Sequence, residues 1–158
     1  MTRHLDRERA GPSGARRQPD PGLLARELHF PFRLDARLAG LLGRFRPHQE
    51  RHGVWVDAKG LTVRFGPCTV HTPLSNILDA RVTGPYAAWR VLGARLSLAD
   101  RGLTFGTNTA MGVCVHFRQP VRGLDPFGLL RHPALTVTVA EPQLLARWLR
   151  ANAAAAGD

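Results

Sequence analysis

The fold is decided by the stretch Val54-Trp55-Val56-Asp57-Ala58-Lys59-Gly60-Leu61-Thr62-Val63-Arg64-Phe65. Apolar and polar residues alternate before and after Ala58-Lys59-Gly60, which is the period of a strand that buries one face. The glycine suits a tight turn between antiparallel strands. This segment therefore predicts a β-hairpin with one face on a core and the other in solvent.

The same period of two occurs in three segments between Leu61 and Val139. One face of each predicted strand is apolar and the other polar. The apolar sets are Leu61, Val63 and Phe65; Val113, Val115 and Phe117; and Leu135, Val137 and Val139, while the polar sets are Thr62 and Arg64; Cys114, His116 and Arg118; and Thr136 and Thr138. Such one-sided strands are typical of antiparallel sheet. Further short strands are predicted within Leu28–Leu34, Cys68–His71, Leu78–Thr83, Leu96–Ala99 and Leu103–Phe105.

Two segments have helical periodicity instead. Apolar residues from Leu34 to Phe45 predict a short helix, and Glu141–Ala151 predicts a C-terminal helix with Pro142 in its first turn. Its buried stripe is expected to consist of Leu144, Leu145, Trp148 and Leu149. Residues 119–133 are expected to form a long loop. The predicted fold class is α+β, mostly antiparallel β.

A chain of 158 residues is long enough for one domain with a sizeable core. Residues 1–26 are rich in charged residues, Gly and Pro, and we expect a disordered leader there. Residues 27–152 form the predicted domain, and the alanine-rich residues 153–158 a flexible tail. The chain contains neither an apolar run of about 20 residues that could span a membrane nor a signal-peptide pattern. We therefore expect a cytoplasmic protein with no transmembrane segment, its two cysteines reduced.

The formal net charge is +10, and Lys59 is the only lysine among the basic residues. Such a charge makes polyanions and acidic protein surfaces the first partners to consider. The arginines are dispersed, however, and no block of five or six like charges occurs. The sequence therefore lacks the basic arm typical of many nucleic-acid-binding proteins.

Signatures of catalysis and of bound cofactors are weak. Glycine-rich phosphate loops and the Gly-x-Ser-x-Gly elbow do not occur in the sequence. The pairs Cys68/His71 and Cys114/His116 raise a zinc site or a thiol nucleophile as alternatives, but the odd spacing of Cys68 and His71 places them on opposite strand faces. His132, with Asp125 nearby in sequence, is an alternative general base. We predict no metal, no cofactor and no enzyme activity, and interpret the aspartates as turn residues, namely Asp57, Asp79, Asp100 and Asp125.

The loop Gly84–Arg95 contains the best candidates for binding. It brings together two aromatic residues and two arginines, Tyr86, Trp89, Arg90 and Arg95. These residue types are enriched at interface hot spots and stack on bases or sit at lipid headgroups. The alternative is that Tyr86 and Trp89 fold back and cap the open end of the barrel. Arg64, His116 and Arg118, on the predicted solvent face, are a second candidate patch for anions.

Short antiparallel strands followed by one C-terminal helix with a central tryptophan, Trp148, resemble the pleckstrin-homology (PH) superfold. The segment Thr72-Pro73-Leu74-Ser75-Asn76-Ile77 resembles a connection common in bacterial PH-like domains. The segments at 82–86, 107–109 and 130–139 are similar to a group of actinobacterial proteins for which the resemblance implies no activity. The resemblance implies a bent sandwich or barrel plugged by the helix. Lipid-binding PH domains carry Arg-x-Arg where this chain has Thr62 and Arg64.

The sequence thus predicts a non-enzymatic binding module. It would dock to a protein or to an anionic surface through the aromatic and arginine residues of the loop. The alternative is sequence-independent binding of nucleic acid or anionic lipid driven by the net charge. The third hypothesis is an enzyme that uses His132 or a Cys–His pair.

Overall fold

The computed structural model describes residues 26–33, 51–85, 93–96, 102–107, 110–123 and 130–157, with only the backbone given for 93–96. Within these ranges it contains nine strands, one 3-10 turn and one helix. They are β1 (Leu28–Phe30), β2 (Gly53–Asp57), β3 (Gly60–Phe65), β4 (Cys68–Thr72), the 3-10 turn (Leu74–Asn76), β5 (Ile77–Thr83), β6 (Gly93–Leu96), β7 (Leu103–Gly106), β8 (Gly112–Arg122), β9 (Arg131–Val137) and α1 (Pro142–Ala156).

The strands form two sheets. The first has the order β1-β2-β3-β4 and is antiparallel throughout. The second has the order β5-β8-β9-β7-β6 and is antiparallel except for the pair β7–β9, which is parallel. The predicted α+β class, mostly antiparallel, is confirmed, and the two sheets form a sandwich with the helix at the C-terminus.

The predicted hairpin is β2–β3, in which Val56 lies opposite Leu61. Its turn is stabilised by Asp57, whose Oδ1 accepts the N–H groups of Lys59 at 2.8 Å and Gly60 at 3.0 Å. Gly60 has φ of +151°, and a Cβ there would overlap the carbonyl oxygen of Thr72. The interpretation of Asp57 as a turn residue is confirmed. Asp79, by contrast, lies within β5 and not in a turn.

The core lies between the two sheets and contains the inward residues of the alternating pattern. Aromatic rings join the sheets, because Phe65 of β3 stacks on Phe105 of β7 with centroids 5.2 Å apart. The chain after β1 also crosses to the second sheet. The Arg33 N–H donates to the carbonyl of Thr138 at 3.0 Å, and the Ala140 N–H donates to that of Pro31 at 3.0 Å.

Helix α1 begins at Pro142, one residue after the predicted start, with this proline in its first turn as predicted, and it packs on β5 and on the 3-10 turn. Leu145, Trp148 and Leu149 are buried, but Leu144 is 42% exposed, so its assignment to the buried stripe is wrong. The stripe instead continues to Asn152 and Ala153, which puts Leu144 at the solvent edge. The helix runs on to Ala156, four residues into the segment predicted as a tail.

The long loop expected over residues 119–133 is wrong at both of its ends, while residues 124–129 lie outside the described ranges. Strand β8 continues to Arg122 and β9 already begins at Arg131, with a register shift between His116 and Val121 that accommodates Pro120. His132 is therefore a buried strand residue, 1% exposed, and not a loop histidine. Thr138 was expected on the solvent face, but it is fully buried and its Oγ1 accepts the N–H of Thr107 at 2.7 Å.

Several predictions fall outside the described residues. These are the helix of Leu34–Phe45, nearly all of the leader, and the turn aspartates Asp100 and Asp125. In the ranges that are described, no helix is both long and apolar enough to cross a membrane.

Candidate functional site

Four side chains form a row across the outer face of the four-stranded sheet. The register places His29 opposite Trp55, Trp55 opposite Thr62, and Thr62 opposite His71. Because directly paired residues point to the same side of a sheet, the row brings together residues that lie up to 42 positions apart in sequence. We call this surface the Trp55 face, defined by the row together with Asp57 and Arg64.

Trp55 is the centre of this surface and is contacted from two neighbouring strands. The His29 ring stacks on its indole with centroids 4.5 Å apart and an interplanar angle of 14°. The Arg64 guanidinium carbon lies 5.4 Å from the centroid of the indole, within the range of a cation–π contact. The indole remains partly exposed. An aromatic group is thus held in place on the solvent side of the sheet by polar neighbours.

Gly53 makes room for this arrangement. It lies opposite Arg64 in the register and has φ of +150°. A Cβ at this position would overlap the imidazole of His29. The glycine therefore allows the His29 ring to lie close to the β2 backbone, where its Nε2 is 3.4 Å from the carbonyl oxygen of His52.

A cleft of about 150 Å³ opens beside Trp55 and is lined by Glu27, Trp55, Asp57, Thr62 and Arg64. Ligand pockets for drug-sized molecules are larger, about 300–1,000 Å³. A volume near 150 Å³ holds a group about the size of benzene. The cleft therefore fits one side chain of a partner better than a whole nucleotide or another large ligand.

The polar groups of the cleft differ in whether they already have hydrogen-bond or ion-pair partners within the protein. One oxygen of Asp57 is used by the turn of the hairpin, and the hydroxyl oxygen of Thr62 is 2.9 Å from Nδ1 of His71. Arg64 is exposed and forms no ion pair with any carboxylate in the described ranges. Its guanidinium is therefore available to a carboxylate of a binding partner.

The outer face of the five-stranded sheet has a different character. Cys114, His116 and Arg118 point outward from β8, and the Sγ of Cys114 is 3.5 Å from Nε2 of His116. Arg118 is exposed and its guanidinium lies beside Gly157, at the end of α1, where a cation is favoured by the helix dipole. Arg64 and Arg118 were predicted to share one solvent face. Both are exposed, but they belong to different sheets and do not form one patch.

The loop candidates are placed only in part. Tyr86, Trp89 and Arg90 lie outside the described residues. Arg95 lies in β6, opposite Thr104 of β7. The proposed binding role of these four residues stays a prediction.

The remaining titratable candidates are separated in space. Cys68 points inward and packs against the core, whereas His71 of the same strand is exposed, so the predicted divergence of this pair is confirmed. Burial raises the pKa of the Cys68 thiol. The described residues contain no group of three or more His, Cys, Asp or Glu side chains placed to hold a metal ion.

Sequence reasoning did not select Trp55, Glu27 or His29 as site residues. One signal was available for Trp55, because it occupies the polar phase of an alternating strand between Val54 and Val56. A large aromatic residue at a solvent-facing position is a reason to consider recognition. His29 offered no comparable signal, since its stacking depends on the pairing of β1 with β2.

Comparisons with known proteins add no identification. No protein-family model, no curated protein and no solved structure matches the chain.

Proposed function

We propose that the protein is a non-enzymatic binding module that docks to an acidic segment of a partner protein through the Trp55 face. A carboxylate of the partner pairs with Arg64, and the adjoining apolar group of the partner rests against Trp55. The observation that carries the proposal is the cleft between Trp55 and Arg64, open to solvent on the outside of a four-stranded sheet.

The residue types at the cleft favour a protein partner. Tryptophan and arginine dominate interface hot spots because they bury a large area and form directed contacts. The cleft is the size of one side chain, as an anchoring residue of a partner requires. Two carboxylates, Glu27 and Asp57, also line the cleft, so an acidic partner must place its carboxylate at Arg64 and its apolar group beside Trp55.

Charge complementarity favours an acidic segment. The chain carries a net charge of +10, which attracts acidic partners over a Debye length of about 10 Å. Within the cleft, Arg64 is the group without a carboxylate partner among the described residues. An Asp or Glu side chain of the binding protein would pair with Arg64, while the remaining arginines would speed the association of the two proteins.

The test is a selection from a random-peptide library displayed on phage, with the whole protein immobilised. We expect the enriched peptides to be acidic. Their dissociation constants, measured by fluorescence anisotropy, should rise about tenfold or more in Trp55→Ala and in Arg64→Gln.

Arg118→Gln is the matched control, because it also removes one exposed arginine but from the other sheet. Its effect on peptide affinity should be less than about threefold. The proposal is wrong if no peptide is enriched, if the enriched peptides are not acidic, or if Arg64→Gln and Arg118→Gln weaken binding equally.

A second candidate, binding of a polyanion, is favoured by one specific observation. Arg122 of β8 lies directly opposite Arg131 of β9, and both are exposed. Like charges opposite each other destabilise a sheet, and neither arginine forms an ion pair with a described carboxylate. Binding of duplex DNA or anionic vesicles that falls steeply with salt, is lost in Arg122→Gln and is unchanged in Trp55→Ala would support this candidate against the first.

We also propose that the domain is related to PH-like domains and that the protein is cytoplasmic. The sandwich of two sheets with a C-terminal helix supports the first, and the small number of cysteines supports the second. The lining of the cleft gives no reason to propose catalysis there, because its carboxylates and its guanidinium suit recognition of a charged group.

A further inference from the structure

A cysteine and a histidine lie side by side on the outer face of the five-stranded sheet, away from the Trp55 face. Both belong to β8, where residues two apart point to the same side. The Sγ of Cys114 lies 3.5 Å from Nε2 of His116. His116 is exposed and Cys114 is half-buried, so the sulfur is within reach of small reagents.

The neighbouring strands place charges beside this pair. On β5, Arg81 lies opposite Cys114 and Asp79 lies opposite His116, and the two side chains form an ion pair with each other. On β9, the opposite residues are Thr136 and Ala134, neither of which carries charge.

The imidazole of His116 is within hydrogen-bonding distance of the sulfur and can accept the thiol proton. Arg81, on the strand opposite Cys114, is a cation of the kind that stabilises a thiolate. Arg118, the next outward residue of β8, is a further exposed cation on the same strand. A nucleophile with an adjacent base, flanked by a third group, is the arrangement of an activated thiol.

The second cysteine of the chain differs in each respect. Cys68 packs against the core, and burial raises the pKa of its thiol. The histidine nearest to it in sequence, His71, lies on the opposite face of β4. Cys68 therefore serves as an internal reference for an unactivated thiol.

We propose that Cys114 is a reactive thiol that peroxides oxidise to a sulfenic acid, with His116 as the proton acceptor. The thiol proton moves to Nε2 of His116, and the thiolate attacks the terminal oxygen of a hydroperoxide. The S–O bond forms as the O–O bond breaks. The sulfur is oxidised, the hydroperoxide is reduced to an alcohol (or to water), and the leaving oxygen takes the proton back from His116.

The experiment compares both cysteines within the same folded protein. Iodoacetamide is added over a range of pH values, and alkylation of each cysteine-containing peptide is followed by mass spectrometry. Near pH 7, Cys114 should react about tenfold faster than Cys68, because its sulfur has an adjacent imidazole while Cys68 packs against the core. After brief exposure to hydrogen peroxide, the sulfenic-acid reagent dimedone should label Cys114 and leave Cys68 unlabelled.

The variant His116→Gln separates activation from simple exposure. It removes the proton acceptor from an exposed position, so the fold should be retained, which far-UV circular dichroism checks. The midpoint of the Cys114 pH profile should move upward and its rate near pH 7 should fall severalfold, while the rate of Cys68 stays the same.

The variant Arg81→Gln should move the Cys114 midpoint in the same direction by a smaller amount. Equal rates for the two cysteines, or a Cys114 profile that His116→Gln leaves unchanged, would overturn the proposal.

Discussion

Trp148 and Trp55 show how one residue type serves two purposes in this fold. Trp148 lies in α1, is 7% exposed, and belongs to the hydrophobic core. Trp55 lies on the outer face of β2, remains partly exposed, and contacts an imidazole and a guanidinium. The first indole removes apolar area from water, and the second leaves part of its area in contact with solvent. The position of an aromatic residue on its strand or helix therefore decides whether its ring is buried or exposed.

The two environments predict different energetic consequences of mutation. Replacing a buried aromatic side chain with alanine costs several kcal/mol of stability, because apolar burial is lost and a cavity is left behind. A stacked pair on a sheet surface contributes about 0.2–1 kcal/mol. Stability should therefore depend strongly on the region around Trp148, and binding on the region around Trp55.

The largest effect is expected for Trp148→Ala. It should lower the free energy of unfolding by about 3–5 kcal/mol, because the indole packs at the junction of α1 with the core. Urea denaturation followed by circular dichroism measures this change. Trp148→Phe is the control and should cost less than half as much, because the buried Nε1 has no hydrogen-bond partner in the described part of the chain. Equal losses for Ala and Phe would contradict the cavity argument.

A smaller loss is expected for Thr138→Val, which preserves shape but removes a hydroxyl. The Thr107 N–H then loses its acceptor while it stays buried, which should cost about 1–3 kcal/mol. Thr138→Ser keeps the acceptor and should retain most of the stability. If Val is tolerated better than Ser at this position, the hydrogen bond does not stabilise the inner side of the sandwich as described.

The smallest effect concerns the pH dependence of the five-stranded face. Partial burial alone would raise the pKa of Asp79, but hydrogen bonds from Arg81 and from the Ala80 N–H outweigh it and hold the pKa below its usual value. A carboxylate with a depressed pKa stabilises the fold above its unfolded pKa of about 4, and this contribution is lost as the pH falls through the folded pKa.

Arg81→Gln should therefore be less stable than the natural protein near neutral pH, with the difference disappearing in acid. The difference should be below about 1 kcal/mol, because the Arg81 side chain is 73% exposed. Urea denaturation at several pH values gives the comparison. Arg64→Gln, which removes an arginine without a carboxylate partner among the described residues, should show no such pH-dependent difference. A gap between Arg81→Gln and the natural protein that persists in acid would contradict the assignment.

Alternation in the sequence was sufficient to predict the strands that bury one face. It identified the β2–β3 hairpin, the apolar face of β8 and the C-terminal helix correctly. It missed the second half of β8 and the start of β9, where Pro120 and Pro133 and a register shift interrupt the pattern. In these segments, pairing with the neighbouring strand maintains the strand conformation although the local sequence does not alternate.

The candidate site was harder to predict, because its members come from different parts of the chain. Arg64 was selected from its polar phase alone. His29 reaches Trp55 only through the register of β1 with β2, and Glu27 lines the cleft because it precedes β1. Local patterns indicate which face a residue occupies, but they do not indicate which residue of another strand lies beside it.

The role of the Trp55 face is tested most directly by the affinity of Trp55→Ala for an acidic peptide that binds the natural protein, measured together with its free energy of unfolding. We expect a dissociation constant about tenfold or more higher and a loss of stability of about 1 kcal/mol or less. An unchanged dissociation constant, or a loss of stability comparable to that of Trp148→Ala, would contradict the assignment of the Trp55 face as a recognition surface.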